Sequence, residues 1–480
     1  MGAERIRRRV AVLAGLAAAC ALLAGCDVPV LDSPLAARGC RRCHPVRIDP
    51  AHDLACTRCH GGDPSGRTRA AAHRGLVAEP AHPDRMAATC GGCHPAETAA
   101  AARDRHFTLA GEIGAVWGAF FPGDRPPALS ALPVEEPPET ARGLVADLLR
   151  RRCLRCHVYD RGDDYAGVRH GTGCAACHLA RGGGGLASHR FTRRVPDERC
   201  LACHYANFVG WDYYGRFEKD YEEDYRAPLS RGEPLPRPYG VEWHEMTPDV
   251  HRRAGLACTD CHPAGPCSDR RRARGCLDCH LGGGQRGGAP GLDAARVGHR
   301  PADRARVDCA VCHAVWSVRD RGRALTRQDA PDYDFWWYLR VQGSSEVERI
   351  VTGNVEFRPP YRPPSLMRDK VSGRSRPGVW FEGFFDRRWT PVPVGPDGRG
   401  RLRVLRPVLD LSVSYLDADG LVPFDNLRPA GLETPAPVEC REVSPACRPY
   451  TPHTIGRADA LRTLRVERWL RREGAGARGR

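Results

Sequence analysis

Apolar positions fall into three kinds of pattern along the 480-residue chain. From Val10 to Leu23 they run almost unbroken behind Arg5, Arg7, Arg8 and Arg9, a stretch too short to prefer a spanning helix and shaped like an export signal over residues 1–25. From Thr140 to Arg152 they recur at helical spacing, with Leu144, Val145, Leu148 and Leu149 on one face. The same period returns in an expected C-terminal helix from Arg457 to Arg472, through Leu461, Leu464, Trp469 and Leu470. Between about Val379 and Phe424 alternation takes over. Val379 to Phe385, Leu402 to Leu405 and Leu409 to Leu416 read as strands, with turn signals at Asp397-Gly398 and Asp419-Gly420. The 41 Pro and 52 Gly favour turns over long elements in the rest.

That irregular remainder holds the chemistry. Nine Cys-x-x-Cys-His units occur, at Cys40/Cys43/His44, Cys56/Cys59/His60, Cys90/Cys93/His94, Cys153/Cys156/His157, Cys174/Cys177/His178, Cys200/Cys203/His204, Cys258/Cys261/His262, Cys276/Cys279/His280 and Cys309/Cys312/His313. Two thiols three residues apart share one face of a helical turn, where they can form thioethers to the two vinyl groups of one porphyrin, and the adjoining His lies under the iron as proximal ligand. Nine covalent haems of c type are implied. Disulfides or zinc knuckles also use paired cysteines, but neither needs His after the second Cys, and no Cys-x-x-Cys pair in this chain lacks it.

The motifs group in threes, so the chain divides into an anchor linker (26–39), a three-haem module (40–94), an insertion with a helix (95–152), a second module (153–204), an aromatic insertion (205–257), a third module (258–313), a haem-free β-rich region (314–455) and the C-terminal helix (456–480). Each second motif leads into a Gly-bearing segment, and His82, His189 and His299 stand shortly before the third motifs. Ten histidines lie outside the motifs: His52, His73, His82, His106, His170, His189, His244, His251, His299 and His453. They are the candidate distal ligands, enough for bis-His ligation throughout, with a surface or hydrogen-bonding role as the alternative for each. Met86, Met246 and Met367 are the few methionines beyond the signal, so His/Met haems of raised potential should be few or absent. Tyr205 to Trp243 is dense in aromatics and acids; it reads as a lid over haem faces or as the wall of a substrate pocket with Lys219, a Tyr or His244 near an open iron. Cys440 and Cys447 can form a local disulfide in an oxidising space, leaving Cys267 as the odd thiol.

A formal charge of +15 invites a nucleic-acid partner, but the cofactors change the count. Loss of Arg5, Arg7, Arg8, Arg9 and Glu4 with the signal brings +15 to about +12, and nine haems add about −9 when oxidised and about −18 when reduced. The loaded protein is near neutral. Its arginines pair propionates more plausibly than phosphates, and no nucleic acid is expected as partner.

Leu23-Ala24-Gly25-Cys26 looks like a bacterial lipobox, which implies cleavage before Cys26, a lipid on that cysteine and an exported protein tethered to a membrane at the periplasmic side or cell surface. On the nine motifs and this lipobox the chain resembles multihaem c-type cytochromes of bacterial anaerobic respiration, with a looser similarity to octahaem cytochromes of the tetrathionate, nitrite and hydroxylamine type. The resemblance implies a mostly α or irregular multihaem cytochrome fold with little regular structure, to which the strand pattern adds a small β-rich C-terminal domain. It implies electron transfer, with redox partners such as a quinol-linked donor, a cytochrome or a porin. The alternative is a terminal reductase of a small oxyanion or metalloid at one open haem. The octahaem families use a Lys ligand or a vacant side at the catalytic haem; this chain has no Cys-x-x-Cys-Lys unit and so no assigned catalytic residue.

Overall fold

The computed structural model describes residues 39–181, 187–206, 210–218, 239–263, 273–281, 290–331, 343–355, 363–383, 386–432 and 438–476. The signal, Cys26, most of the linker, the glycine runs after His178 and His280, Lys219, Tyr221, Tyr225 and Cys267 lie outside these residues. The chain forms two units, Met1–Ala78 and Glu79–Arg480.

The first unit is built from short turns. Asp49 caps the 3-10 turn Pro50–His52 by accepting from the Ala51 amide, and Thr68 caps Arg69–Ala72 in the same way. Helix Cys56–His60 ends at Gly61, whose φ of 61° brings its backbone against Gly75 at a distance no Cβ would tolerate.

In the second unit the alternating segments form strands β1 (Arg323–Gln328), β2 (Val379–Gly383), β3 (Leu411–Leu416) and β4 (Phe424–Leu427). They join in the order β4-β3-β1-β2, with β1 parallel to β3 and the outer pairs antiparallel. Burial along β3 alternates residue by residue, as a half-buried strand requires. Asp417 to Leu421, including the expected Asp419-Gly420, closes the β3–β4 hairpin.

This sheet does not close on itself. Val379, Trp380, Phe381, Leu411, Val413 and Tyr415 share one core with helices α1 (Ala110–Phe120), α2 (Ala141–Arg151) and α3 (Ser345–Val355), so the haem-free region and the 95–152 insertion fold together rather than as the expected neighbours. Helix α2 starts where the pattern places it, with Thr140 accepting from the Gly143 amide at 2.9 Å. It is buried on every side, not on one face. Asp147 accepts from the Trp380 indole at 2.8 Å, Arg150 meets Asp369 at 2.8 Å and Arg151 donates to the Pro377 carbonyl at 2.8 Å, so each buried charge is paired.

A second core joins Val307, Ala310, Val311 and Ala314 around the last motif to Val392, Val404 and the C-terminal helix α4 (Ala460–Gly476) through Val466 and Leu470. Helix α4 begins three residues later than its periodicity suggests, because Asp459 accepts from Arg462 and Thr463 and so sets the start. Cys440 and Cys447 are joined in a disulfide. No described helix is long and apolar enough to cross a membrane.

Candidate functional site

Each motif sits on a tight helical turn. The His44, His94, His204 and His262 amides bond back to the carbonyls of Cys40, Cys90, Cys200 and Cys258 at 2.8 to 3.0 Å, closing the turn that puts both thiols on one side. In the units at Cys258 and Cys276 the third residue, Asp260 or Asp278, reaches back to the amide before the first cysteine at 2.8 or 2.7 Å. All eighteen motif cysteines are unbridged. Among the described residues no group of three or more His, Cys, Asp or Glu is arranged to hold a bare metal ion, as a zinc knuckle would require.

Five motif histidines face a histidine from outside the motifs. Ring centres lie 6.0 Å apart for His44 and His73, 6.4 Å for His204 and His106, 6.3 Å for His262 and His453, 6.1 Å for His280 and His251, and 6.0 Å for His313 and His299. Every one of these pairs joins one motif ring to one non-motif ring. With metal–nitrogen bonds of about 2 Å and ring centres about 1 Å beyond each nitrogen, two imidazoles on opposite sides of one metal stand about 6 Å apart. These spacings therefore fit a six-coordinate iron porphyrin.

The other ring nitrogens are also consistent with ligation. Nδ1 of His60, His178, His280 and His313 lies 2.8 to 3.1 Å from the carbonyls of Val77, Thr192, Pro290 and Gly456. Nδ1 of His52, His106 and His251 lies 2.8 to 3.0 Å from Asp49, Asp104 and Asp249, and that of His299 3.2 Å from the Asp293 carbonyl. Carbonyls and carboxylates only accept, so Nδ1 carries the hydrogen and Nε2 keeps its lone pair for a metal. Burial pulls His204 down to about 4 and His157 down to about 3, which holds both in the neutral form that ligates.

The fourth motif is the most enclosed. His157 and His170 are 2% and 1% exposed and electrostatically coupled. The His157 Nδ1 is engaged by backbone at Tyr159 and Lys370, and its Nε2 is buried with no hydrogen-bond partner. His170 Nε2 lies 3.6 Å from Cys203 Sγ. Cys153, Cys156 and Cys203 are surrounded by protein yet keep accessible surface, so they line open internal volume of the kind a porphyrin fills. Burial pushes the Cys153 thiol up to about 12 and Cys156 up to about 11.

The remaining candidates are placed as follows. His52 sits in its capped turn. His82 caps helix Pro83–Thr89 by accepting the Asp84 amide at Nδ1 and meets Tyr159 edge-on, a role that favours the other tautomer. His189 lies on strand Ala187–Phe191. His244 pairs with Phe217 between strands Trp243–Glu245 and Arg216–Glu218, stacks on it at 5.9 Å and meets Trp389 at 5.3 Å. The aromatic insertion is a cluster centred on Trp211, within 5.2 Å of Tyr214, Tyr239 and Trp243.

Sequence reasoning missed the residues that aim these rings. Asp249 accepts from the His251 amide, from His251 Nδ1 and from the Ile455 amide; Asp212 accepts the His453 amide and faces His453 Nδ1 at 3.5 Å. The recurring Asp-x-His at helix starts, Asp104/His106 and Asp249/His251, was the signal available. No family model, curated protein or solved structure matches the chain.

Proposed function

We propose that this chain is a nine-haem c-type cytochrome that carries electrons along a series of closely spaced haems, tethered to a membrane by lipid on Cys26 and exchanging electrons with periplasmic or outer-membrane partners. The observation that carries the reading is the set of five motif-to-non-motif imidazole pairs at 6.0 to 6.4 Å. Cys40 and Cys43, with their eight counterparts, would hold the porphyrin, the motif histidines would be proximal ligands, and His73, His106, His453, His251 and His299 would be distal ligands to His44, His204, His262, His280 and His313. When bound, each iron supplies a one-electron couple. The protein's own contribution is to saturate the metals with imidazole, fix each ring through Nδ1, and hold neighbouring sites together.

Neighbourhood of the motifs supports a series. Thiols of Cys200 and Cys258 share a hydrogen bond, as do Cys276 and Cys309, while Cys261 faces Cys279 and Cys203 faces both Cys156 and Cys177. In the first unit Cys40 and Cys56 are linked the same way. A line of neighbours thus joins motifs five to nine, with the fourth meeting it at Cys203.

The test is the mass of the purified protein together with electron paramagnetic resonance of its oxidised form. Nine added haems and low-spin signals from the five paired sites are expected. A mass without porphyrin, or with zinc, overturns the reading; a high-spin share instead favours the reductase. His453→Ala should convert about one ninth of the haem to high spin.

A further inference from the structure

Four guanidiniums converge beside the fourth motif. Arg152 pairs with Glu382, which also meets Arg323 at 2.8 Å, and Arg387 meets Glu218 at 2.7 Å. Arg155, inside the Cys-x-x-Cys itself, is drawn to Asp163 and Glu382. Arg152, Arg387, Glu382, Glu218 and Asp163 are each no more than 7% exposed. Burial alone would raise Glu382, but Arg323 and Arg152 outweigh it and bring it down to about 2, so it stays charged.

The four cations face three buried carboxylates. Two further cations near His157 do not change that balance: Lys370 meets Glu346 at 3.3 Å and Arg368 meets Asp160 at 2.8 Å. The remaining acid close by is Glu112, and burial pushes it up to about 7, leaving it only partly charged at neutral pH. Arg155 Nη1 and Asp163 Oδ2 stand 3.8 Å apart, too far for a hydrogen bond, and both atoms are buried without a hydrogen-bond partner. By contrast Cys43, Cys59 and Cys93 of the first three motifs are exposed, where water screens any neighbouring charge.

We propose that Arg155, with Arg152, Arg323 and Arg387, holds the redox site attached at Cys153 and Cys156 at a more positive potential than its neighbours, making it an electron store beside the line at Cys203. This rests on the haem reading above. An excess of buried positive charge stabilises an added electron, and low dielectric magnifies the effect. In the loading step a low-potential donor loses one electron and this site gains it, with no bond made or broken. Cys203 faces Cys156, Cys177 and Cys200, so the store would connect at a junction and not at an end.

The experiment is a potentiometric titration of the full-length, haem-loaded protein and its Arg155→Gln variant, after mass has established nine haems in each. A missing haem complement would count against the function, not against this assignment. In Arg155→Gln the first step of reduction, about one ninth of the absorbance change, should move to lower potential, its equilibrium constant falling on the order of tenfold. Arg155→Lys should restore it. Arg387→Gln, outside the motif, should move the same step the same way and serves if Arg155→Gln does not fold. A first step that stays in place in both glutamine variants, or moves to higher potential, overturns the proposal.

Discussion

Asp49 in the first unit and Asp249 in the second each cap a short helical turn and hold Nδ1 of a histidine two or three residues on, His52 at 3.0 Å and His251 at 2.8 Å. Their surroundings differ. Asp49 keeps 16% of its side chain exposed and its printed partners are local, whereas Asp249 is 2% exposed and also accepts the Ile455 amide at 2.7 Å, across 206 residues of sequence. That extra bond makes Asp249 a joint. Ile455 is one residue from Gly456, whose carbonyl holds His313, and two from His453, the ring opposite His262. One strap, residues 453–456, therefore aims rings at three motif histidines counting His280 through His251, while the first unit pairs His44 with His73 within itself.

The comparison breaks most sharply at Asp249→Ala. Three donors lose their acceptor in a buried place, so the cost should be about 3–5 kcal/mol, read from denaturant unfolding of the whole protein. Low-spin signals for the sites at His262 and His280 should broaden together. A loss below about 1 kcal/mol would show the strap to be held by something else. Leu470→Ala comes next. It removes α4 packing from the core under the last motif and should cost about 2–3 kcal/mol, less than a fully enclosed leucine because 9% remains exposed. Replacing both Cys440 and Cys447 by Ser opens a loop with a sequence separation of 7, a loss of about 2 kcal/mol by chain entropy. That change should leave the imidazole pairs unaltered in the spectrum.

The same contrast explains what the sequence could and could not tell. Turns at the motifs, helix α2 and strands β2 and β3 were legible because each depends on neighbours in sequence: a Thr140 cap, a period of two, a Cys-x-x-Cys turn. Pairing of rings was not. His299 meets His313 fourteen residues on, but His106 meets His204 and His453 meets His262 through folds that bring distant segments together, and no offset encodes that. Nor does a helical period announce that Arg150 and Arg151 will be buried, since their partners Asp369 and Pro377 come from the far side of the chain.

Asp49→Ala is the smallest expected effect and the sharpest control. The variant removes the acceptor for the Ala51 amide and for His52 Nδ1, yet both can turn to water, since the His52 side chain is 39% exposed. Loss of an N-cap and of an exposed ion pair together should amount to about 0.5–1 kcal/mol. Amide exchange at Ala51 and His52 should quicken, while the global unfolding midpoint and the signals of the second unit stay where they were. If instead Asp49→Ala costs as much as Asp249→Ala, burial is not what separates the two sites, and the special standing given to the 453–456 strap is lost.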